Sequence, residues 1–214
     1  MIITILAVTK AYDKFCIAGI NEKGTWIRPI PNFGTSRFWT RQSLTRNNGE
    51  FIKCGDKWQI DGYYPEKFEF TNHTEDYVTT TRKYIGRLQN EELIAFLNKH
   101  TANEQLFLET IAAQRRSLCL VKAKSMYPYV SNWEGNMKPK IKFDGFTFNL
   151  DNPLTNSNDY IIKDCKWARF ILDNNNIQNF EEIFICIGLA TPAPYNNIEY
   201  PQIIGIHTIP EIPC

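Results

Sequence analysis

Residues 23–49 contain five cationic side chains and no carboxylate, with four aromatic side chains between the cations. Guanidinium groups neutralise phosphates, and aromatic rings stack on nucleobases. The window therefore predicts contacts with single-stranded nucleic acid or a nucleotide. The candidate contact residues are Trp26, Arg28, Arg37, Phe38, Trp39, Arg41 and Arg46. In the alternative interpretation, the two tryptophans fill a protein core and the arginines are scattered over a solvated loop.

A second candidate contact surface consists of Lys166, Trp167 and Arg169. The pattern Trp-x-Arg occurs both here and in the first window. On a β strand, two such residues point to the same face about 7 Å apart, so one ligand could be stacked on the ring and paired with the guanidinium. Asp164 interrupts the positive charge, however, and the interpretation in which Trp167 caps the second barrel is favoured.

Lys138, Lys140 and Lys142 alternate along one predicted strand and therefore share a face. Such lysines could contact the phosphates of a nucleic acid. Lysines on an exposed sheet edge also prevent aggregation, and both interpretations stay open.

No signature of a catalytic or metal site reaches comparable strength. The six cysteines show no Cys-x-x-Cys pair, the three histidines are far apart, and glycine-rich phosphate loops and serine-nucleophile motifs are absent. We therefore expect neither a cofactor nor a metal, and favour a binding protein over an enzyme. An enzyme acting on nucleotides or nucleic acid, and an adaptor that docks a protein partner, remain the alternatives.

The composition is that of a globular protein. Of the 214 residues, 43% are hydrophobic, and the formal net charge is +1, so only a local asymmetry of charge could attract an anion. The cysteines indicate buried, reduced thiols. The sequence contains no apolar segment long enough to span a membrane, and we expect a cytoplasmic location.

The elements that must position these residues are mostly strands. In the first half, apolar and alternating patterns predict strands over residues 2–8, 15–20, 25–30, 57–60 and 67–70. Pro29 and Pro31 are expected to end the third of them. Helical spacing then predicts helices over residues 90–100 and 103–116, each beginning at a capping asparagine.

Strand patterns return in the second half, over residues 118–123, 140–150, 160–172, 182–189 and 202–209. The dipeptide Asp144-Gly145 predicts a hairpin turn. The chain is therefore predicted to be mainly β with minor α, in the form of two small β barrels joined by a helical segment. The predicted domains are residues 1–116 with the trailing helices and residues 117–214.

Two segments resemble a known family. The run Cys-Ile-Ala-Gly-Ile at residues 16–20, followed by Gly-Thr-Trp-Ile-Arg-Pro-Ile at 24–30, resembles the start of bacterial proteins described as dual OB domain-containing. Residues 187–192 and 203–206 resemble the end of the same family. The resemblance implies two OB-like barrels, a role in binding nucleic acid or nucleotides, and a place in bacterial defence or conflict systems.

Overall fold

The computed structural model describes residues 1–33, 36–144, 159–173 and 179–212. They fold into two compact units, one of Met1–His100 with Gln114–Arg116 and one of Thr101–Ala113 with Ser117–Cys214. The prediction of a mainly β fold is confirmed. The functional domains 1–116 and 117–214 stay a prediction.

The first unit is a closed barrel of five strands. Its strands are β1 Ile2–Ala11, β2 Lys14–Asn21, β3 Trp26–Pro31, β4 Asp56–Tyr63 and β5 Asp76–Arg87. Their order is β1-β2-β3-β5-β4, and β4 pairs back with β1. The pair β3–β5 is parallel, whereas the other pairs are antiparallel. In β4 buried and less buried residues alternate, so one side chain of every two points into the core, whereas β1 and β2 contain continuous runs of buried residues.

Two features of this barrel differ from the prediction. Pro31 is the last residue of β3, as predicted, whereas Pro29 lies inside the strand, where only Trp26 and Ile27 pair with β2 and residues 28–31 pair in parallel with β5. The predicted strand 67–70 is wrong, since these residues belong to the loop between β4 and β5. The long strand β5, rich in threonine and tyrosine, was not predicted.

Both predicted helices exist, although the second is shorter than expected. The helix α1 comprises Asn90–His100, and α2 comprises Glu104–Ala112. The side chain of Asn103 caps α2 by accepting a hydrogen bond from the backbone N–H of Leu106. Arg115 and Arg116 lie beyond the last turn of α2, so they do not belong to the helix. The first helix lies in the first unit and the second helix in the second unit.

The second unit contains two three-stranded sheets. Its elements are β6 Leu118–Ala123, β7 Met126–Trp133, β8 Asn136–Phe143, β9 Asp159–Ile161, α3 Cys165–Leu172, β10 Glu182–Leu189 and β11 Pro201–Ile209. The sheet orders are β11-β10-β6 and β7-β8-β9. One parallel bridge, between Ile162 and Ile203, connects the end of β9 with β11. A closed second barrel is not confirmed for the described residues.

The predicted strand 160–172 is wrong. After the short β9, Asp164 caps α3 by accepting a hydrogen bond from Trp167 N at 2.9 Å, and residues 165–172 are helical. The N-cap and the helical spacing of Trp167, Phe170 and Ile171, which are all buried, outweigh the β-branched character of the segment.

The predicted strand 140–150 corresponds in part to β8, which ends at Phe143. Gly145, and with it the predicted turn at Asp144-Gly145, lies outside the described residues. The hairpin that the structure does describe joins β7 to β8 through Glu134 and Gly135. The strand β7 was not predicted.

Candidate nucleic-acid interface

The tryptophans of the first window lie in the barrel interior. Trp26 is 4% exposed and Trp39 is 0% exposed. The Nε1–H of Trp39 donates to the carbonyl oxygen of Pro29 at 2.7 Å, and its ring packs under the guanidinium of Arg82. Neither ring presents a face on which a base could stack.

Arg28 and Arg37 converge on one buried carboxylate. Arg28 Nη1 lies 2.9 Å from Asp76 Oδ1, and Arg37 Nη2 lies 2.5 Å from Asp76 Oδ2. Arg37 also pairs with Glu69 at 3.0 Å. Burial lowers the pKa of Arg28, but the charges of Asp76 and Glu75 more than offset this effect, so the net shift is upward. Arg28 therefore keeps its positive charge although it is buried, and it pairs with Asp76.

His73 belongs to the same network and is 2% exposed. Its Nδ1 lies 2.8 Å from Arg28 Nη1 and 3.3 Å from Arg37 Nη2. Because guanidinium groups only donate hydrogen bonds, Nδ1 must accept, which fixes the neutral tautomer with its proton on Nε2. Glu69, His73 and Asp76 all follow the window in sequence, and they supply the acceptors that the window itself lacks.

The remaining residues of the window are also engaged with neighbouring side chains. Arg46 pairs with Glu50 at 2.7 Å and lies over the ring of Tyr84. Arg41 is exposed and lies over the ring of Phe51, with Cζ 4.9 Å from the centroid. Phe38 is half-buried. The structure thus spreads the predicted contact residues over the barrel core, an ion-paired network and one exposed cation.

The second predicted surface is not brought together either. Because these residues are helical, Trp167 and Arg169 point in different directions: Trp167 is buried, and its Nε1–H donates to Ile206 O at 2.9 Å. The side chain of Arg169 is 86% exposed and lies beside Asp173. Lys166 pairs with Glu211 at 2.6 Å. Trp167 and Arg169 therefore do not share a strand face.

A different surface combines exposed rings with cations. The outward face of the hairpin β7–β8, called here the aromatic–lysine ribbon, consists of Tyr127, Tyr129, Ser131, Trp133, Asn136, Lys138, Lys140 and Lys142. The backbone register pairs Tyr127 with Lys142, Tyr129 with Lys140, Ser131 with Lys138 and Trp133 with Asn136. Residues two apart on a strand share a face, so the rings form one row and the lysines form the row beside it.

The ribbon is accessible to a ligand. Tyr127 is 66% exposed and Trp133 is 73% exposed. Lys138 and Lys142 are exposed and make no ion pair within the described parts of the chain. Such rings can stack on bases while the neighbouring ammonium groups meet phosphates.

The tip of the hairpin extends beyond the packed part of the second unit. Glu134 and Gly135 both have positive φ, at 49° and 81°, as a two-residue type I′ turn requires, and glycine adopts this conformation without strain. Asn132 and Met137, which point to the face opposite the ribbon, are also exposed. Trp133 therefore stands at the end of a projecting hairpin.

A carboxylate borders the ribbon on the third strand of this sheet. Asp159 Oδ1 accepts a hydrogen bond from the Tyr129 hydroxyl at 2.6 Å, and Asp159 Oδ2 lies 2.8 Å from Lys140 Nζ. Burial, together with the hydrogen bond to Asp159 and its negative charge, raises the pKa of Tyr129 to about 12. The phenol therefore stays protonated at neutral pH and keeps donating to Asp159.

Burial disfavours the reactive thiolate form of two cysteines. Cys186 lies 3.7 Å from His207, but burial raises the pKa of the Cys186 thiol well above its ordinary value, with Asp164 and Cys119 adding to the shift. Burial likewise raises the pKa of Cys16. Across the residues that the structure describes, no three His, Cys, Asp or Glu side chains are placed to hold a metal ion.

The sequence pattern predicted a shared face for the three lysines of the ribbon, but the rings beside them were not predicted. The signal was present: Tyr127, Tyr129 and Trp133 alternate at period two before the turn residues Glu134 and Gly135. Pro128 obscured it, because proline inside a run weakens a strand prediction. The pairing of the rings with lysines across the turn follows only from the register.

Comparison with known proteins gives one match. The model of the family described as the dual OB-containing domain matches residues 1–206. No curated protein and no solved structure matches the chain. Where the structure describes the chain, it contains no helix with the length and apolar character needed to cross a membrane.

Proposed function

Because the chain belongs to the dual OB-containing domain family, we propose that it binds single-stranded nucleic acid through the aromatic–lysine ribbon. OB folds commonly bind nucleic acid, which favours a binding role in general. The observation that carries the specific proposal is the pair of exposed rings, Tyr127 and Trp133, beside the ammonium groups of Lys138 and Lys142, which form no ion pair with another described residue.

We infer further that the second unit is itself an OB-type barrel. The strands of the second unit have the same order as those of the first unit if β6 and β7 are one bent first strand. The order runs from β7 to β8 and β9, then through the bridge between Ile162 and Ile203 to β11, and through β10 back to β6. The helix α3 then lies between the third and fourth strands. On this assignment the ribbon lies on the first and second strands. Its second strand, β8, is one of the two strands that commonly form the ligand face of OB folds.

The spacing of the rings favours a single strand as the ligand. Tyr127 and Tyr129 are about 7 Å apart along β7, and Trp133 lies about 13 Å beyond Tyr129. Bases must be unpaired to stack on such rings, whereas a duplex offers only its phosphates to the lysine row. Each stacked base contributes about 1 to 3 kcal/mol to binding.

In this proposal the first window has a structural role. Arg28 and Arg37 stabilise the junction of β3 and the loop before β5 through Asp76, and the tryptophans fill the barrel. Binding by the predicted residues of the window and of residues 166–169 stays a prediction, as does a place in a defence system.

The test is titration of a fluorescein-labelled single-stranded oligonucleotide with the full chain, followed by fluorescence anisotropy at several salt concentrations. We expect Tyr127→Ala and Trp133→Ala each to weaken binding by about 1 to 3 kcal/mol without lowering the unfolding temperature. A duplex of the same sequence should bind more weakly, because it has no free base faces.

The matched controls are Tyr12→Ala and Tyr63→Ala, which remove exposed aromatic rings of the first unit. They should leave the affinity unchanged. Absence of binding by the wild type at low salt would contradict the proposal, and so would equal losses in the control and ribbon variants.

A further inference from the structure

Asp159 places a negative charge inside the cationic row of the ribbon. Its backbone pairs with Lys142 across β8 and β9, while its side chain reaches diagonally to Lys140 and Tyr129. The Asp159 side chain is 15% exposed, so the carboxylate is held in place and partly shielded. The ribbon thus carries three lysines and one opposing carboxylate.

This contact has a direct consequence for any anion that approaches the ribbon. Lys140 already pairs with Asp159 Oδ2, so its charge is offset and a phosphate that contacts Lys140 also meets the repulsion of this carboxylate. Among the described residues, the ribbon cations without an ion pair are Lys138 and Lys142, about 13 Å apart along β8, so the lysine row attracts a phosphate chain less than its composition suggests. The rings are not affected by this loss of charge.

We propose that Asp159 is a specificity-determining residue, an inference that rests on the proposed function. Asp159 offsets the charge of the lysines, so the ribbon selects ligands with stackable bases over polyanions that have no bases. Removing its charge should raise affinity for every polyanion. The gain should be proportionally larger for a polyanion without bases, because the whole of its affinity comes from the lysines.

Asp159 also orients Tyr129. The hydrogen bond of 2.6 Å from the phenol fixes the ring beside Lys140. The variant Tyr129→Phe separates the two roles, because it removes this hydrogen bond and leaves the Asp159–Lys140 pair unchanged. It should weaken oligonucleotide binding slightly and leave polyphosphate binding as it is in the wild type.

The experiment compares a single-stranded oligonucleotide with inorganic polyphosphate as ligands of the wild type and of Asp159→Asn. Because the loss of the carboxylate leaves the charge of Lys140 available to the ligand, we expect polyphosphate affinity to rise about fivefold in Asp159→Asn. The slope of log affinity against log salt concentration for the oligonucleotide should become steeper by about 0.7, because one more lysine contacts the phosphates. The ratio of oligonucleotide to polyphosphate affinity should fall.

The matched control is Glu211→Gln. It removes the same charge and frees a lysine, Lys166, that also belongs to the second unit but not to the ribbon. Its selectivity should equal that of the wild type. Unfolding temperatures of both variants establish that they are folded at the temperature of the titration.

Two results would overturn the inference while the proposed function stands: unchanged selectivity in Asp159→Asn with normal oligonucleotide binding, or an equal change in Glu211→Gln. Failure of the wild type to bind the oligonucleotide would instead overturn the proposed function. The two failures are therefore distinguishable in one set of titrations.

Discussion

The first window and the aromatic–lysine ribbon contain the same kinds of side chain in opposite arrangements. In the window, Trp26 and Trp39 are inside the barrel and the guanidinium groups of Arg28 and Arg37 contact Asp76. In the ribbon, Tyr127 and Trp133 are exposed beside lysines. A mixture of cations and rings does not identify a binding surface by itself, because its exposure and ion pairing decide whether a ligand can reach it.

The two environments explain this difference. The strand β3 lies between β2 and β5 in a closed barrel, and the segment around Trp39 pairs with Phe15, so the window is covered by its own chain. The hairpin β7–β8 packs through one face and ends in a projecting turn. Only the second arrangement leaves a row of rings in contact with solvent.

The largest expected effect that tests this comparison is on stability. Arg28→Ala leaves the carboxylate of Asp76 buried without one of its two guanidinium partners, and breaking a buried ion pair costs about 3 to 5 kcal/mol. Unfolding in urea, followed by circular dichroism, should show this loss, whereas oligonucleotide binding at low temperature should stay normal.

The matched control for Arg28 is Arg169→Ala, since the exposed Arg169 also pairs with an aspartate. It should change the free energy of unfolding by about 0.5 kcal/mol or less. Weaker oligonucleotide binding by Arg28→Ala with stability intact would assign Arg28 to the ligand and reverse the comparison.

A smaller effect is expected for the lysines of the ribbon. Lys138→Gln and Lys142→Gln should each reduce the slope of log affinity against log salt by about 0.7, the value for one phosphate contact with a single strand. Arg41→Gln in the first window, which removes an exposed cation, should leave the slope unchanged. A reduced slope for Arg41→Gln would show that the window contributes phosphate contacts.

The smallest effect concerns Tyr129. Its pKa is raised to about 12. The measurement is a pH titration followed by NMR of protein labelled with ¹³C at tyrosine Cζ, in which the resonance of Tyr129 is identified by its loss in Tyr129→Phe. The midpoint of this resonance should lie near the raised pKa. In Asp159→Asn this midpoint should move down toward the ordinary tyrosine value near 10, because the negative charge that disfavours the phenolate is gone. An unchanged midpoint would show that Asp159 does not control this ring.

Local patterns predicted most of the elements that are rich in β-branched apolar residues or begin at a clear cap. The strands over 2–8, 182–189 and 202–209 and the cap at Asn103 are of this kind. The prediction of strand over 160–172 failed because its β-branched residues hid a helix, and the cap at Asp164 is held by the backbone N–H of Trp167 in the same turn. Residues 67–70 alternate as a strand does, yet no neighbouring strand pairs with them.

The sequence by itself determined the mainly β class, the family, and the presence of cations among aromatic residues. It could not determine which of these groups meet solvent, because Glu69, His73 and Asp76, which engage Arg37, lie more than thirty residues away from it along the chain. The ribbon likewise depends on a register that sets Tyr129 opposite Lys140. Burial and pairing are decided by contacts between residues distant in sequence, and only the tertiary structure specifies those contacts.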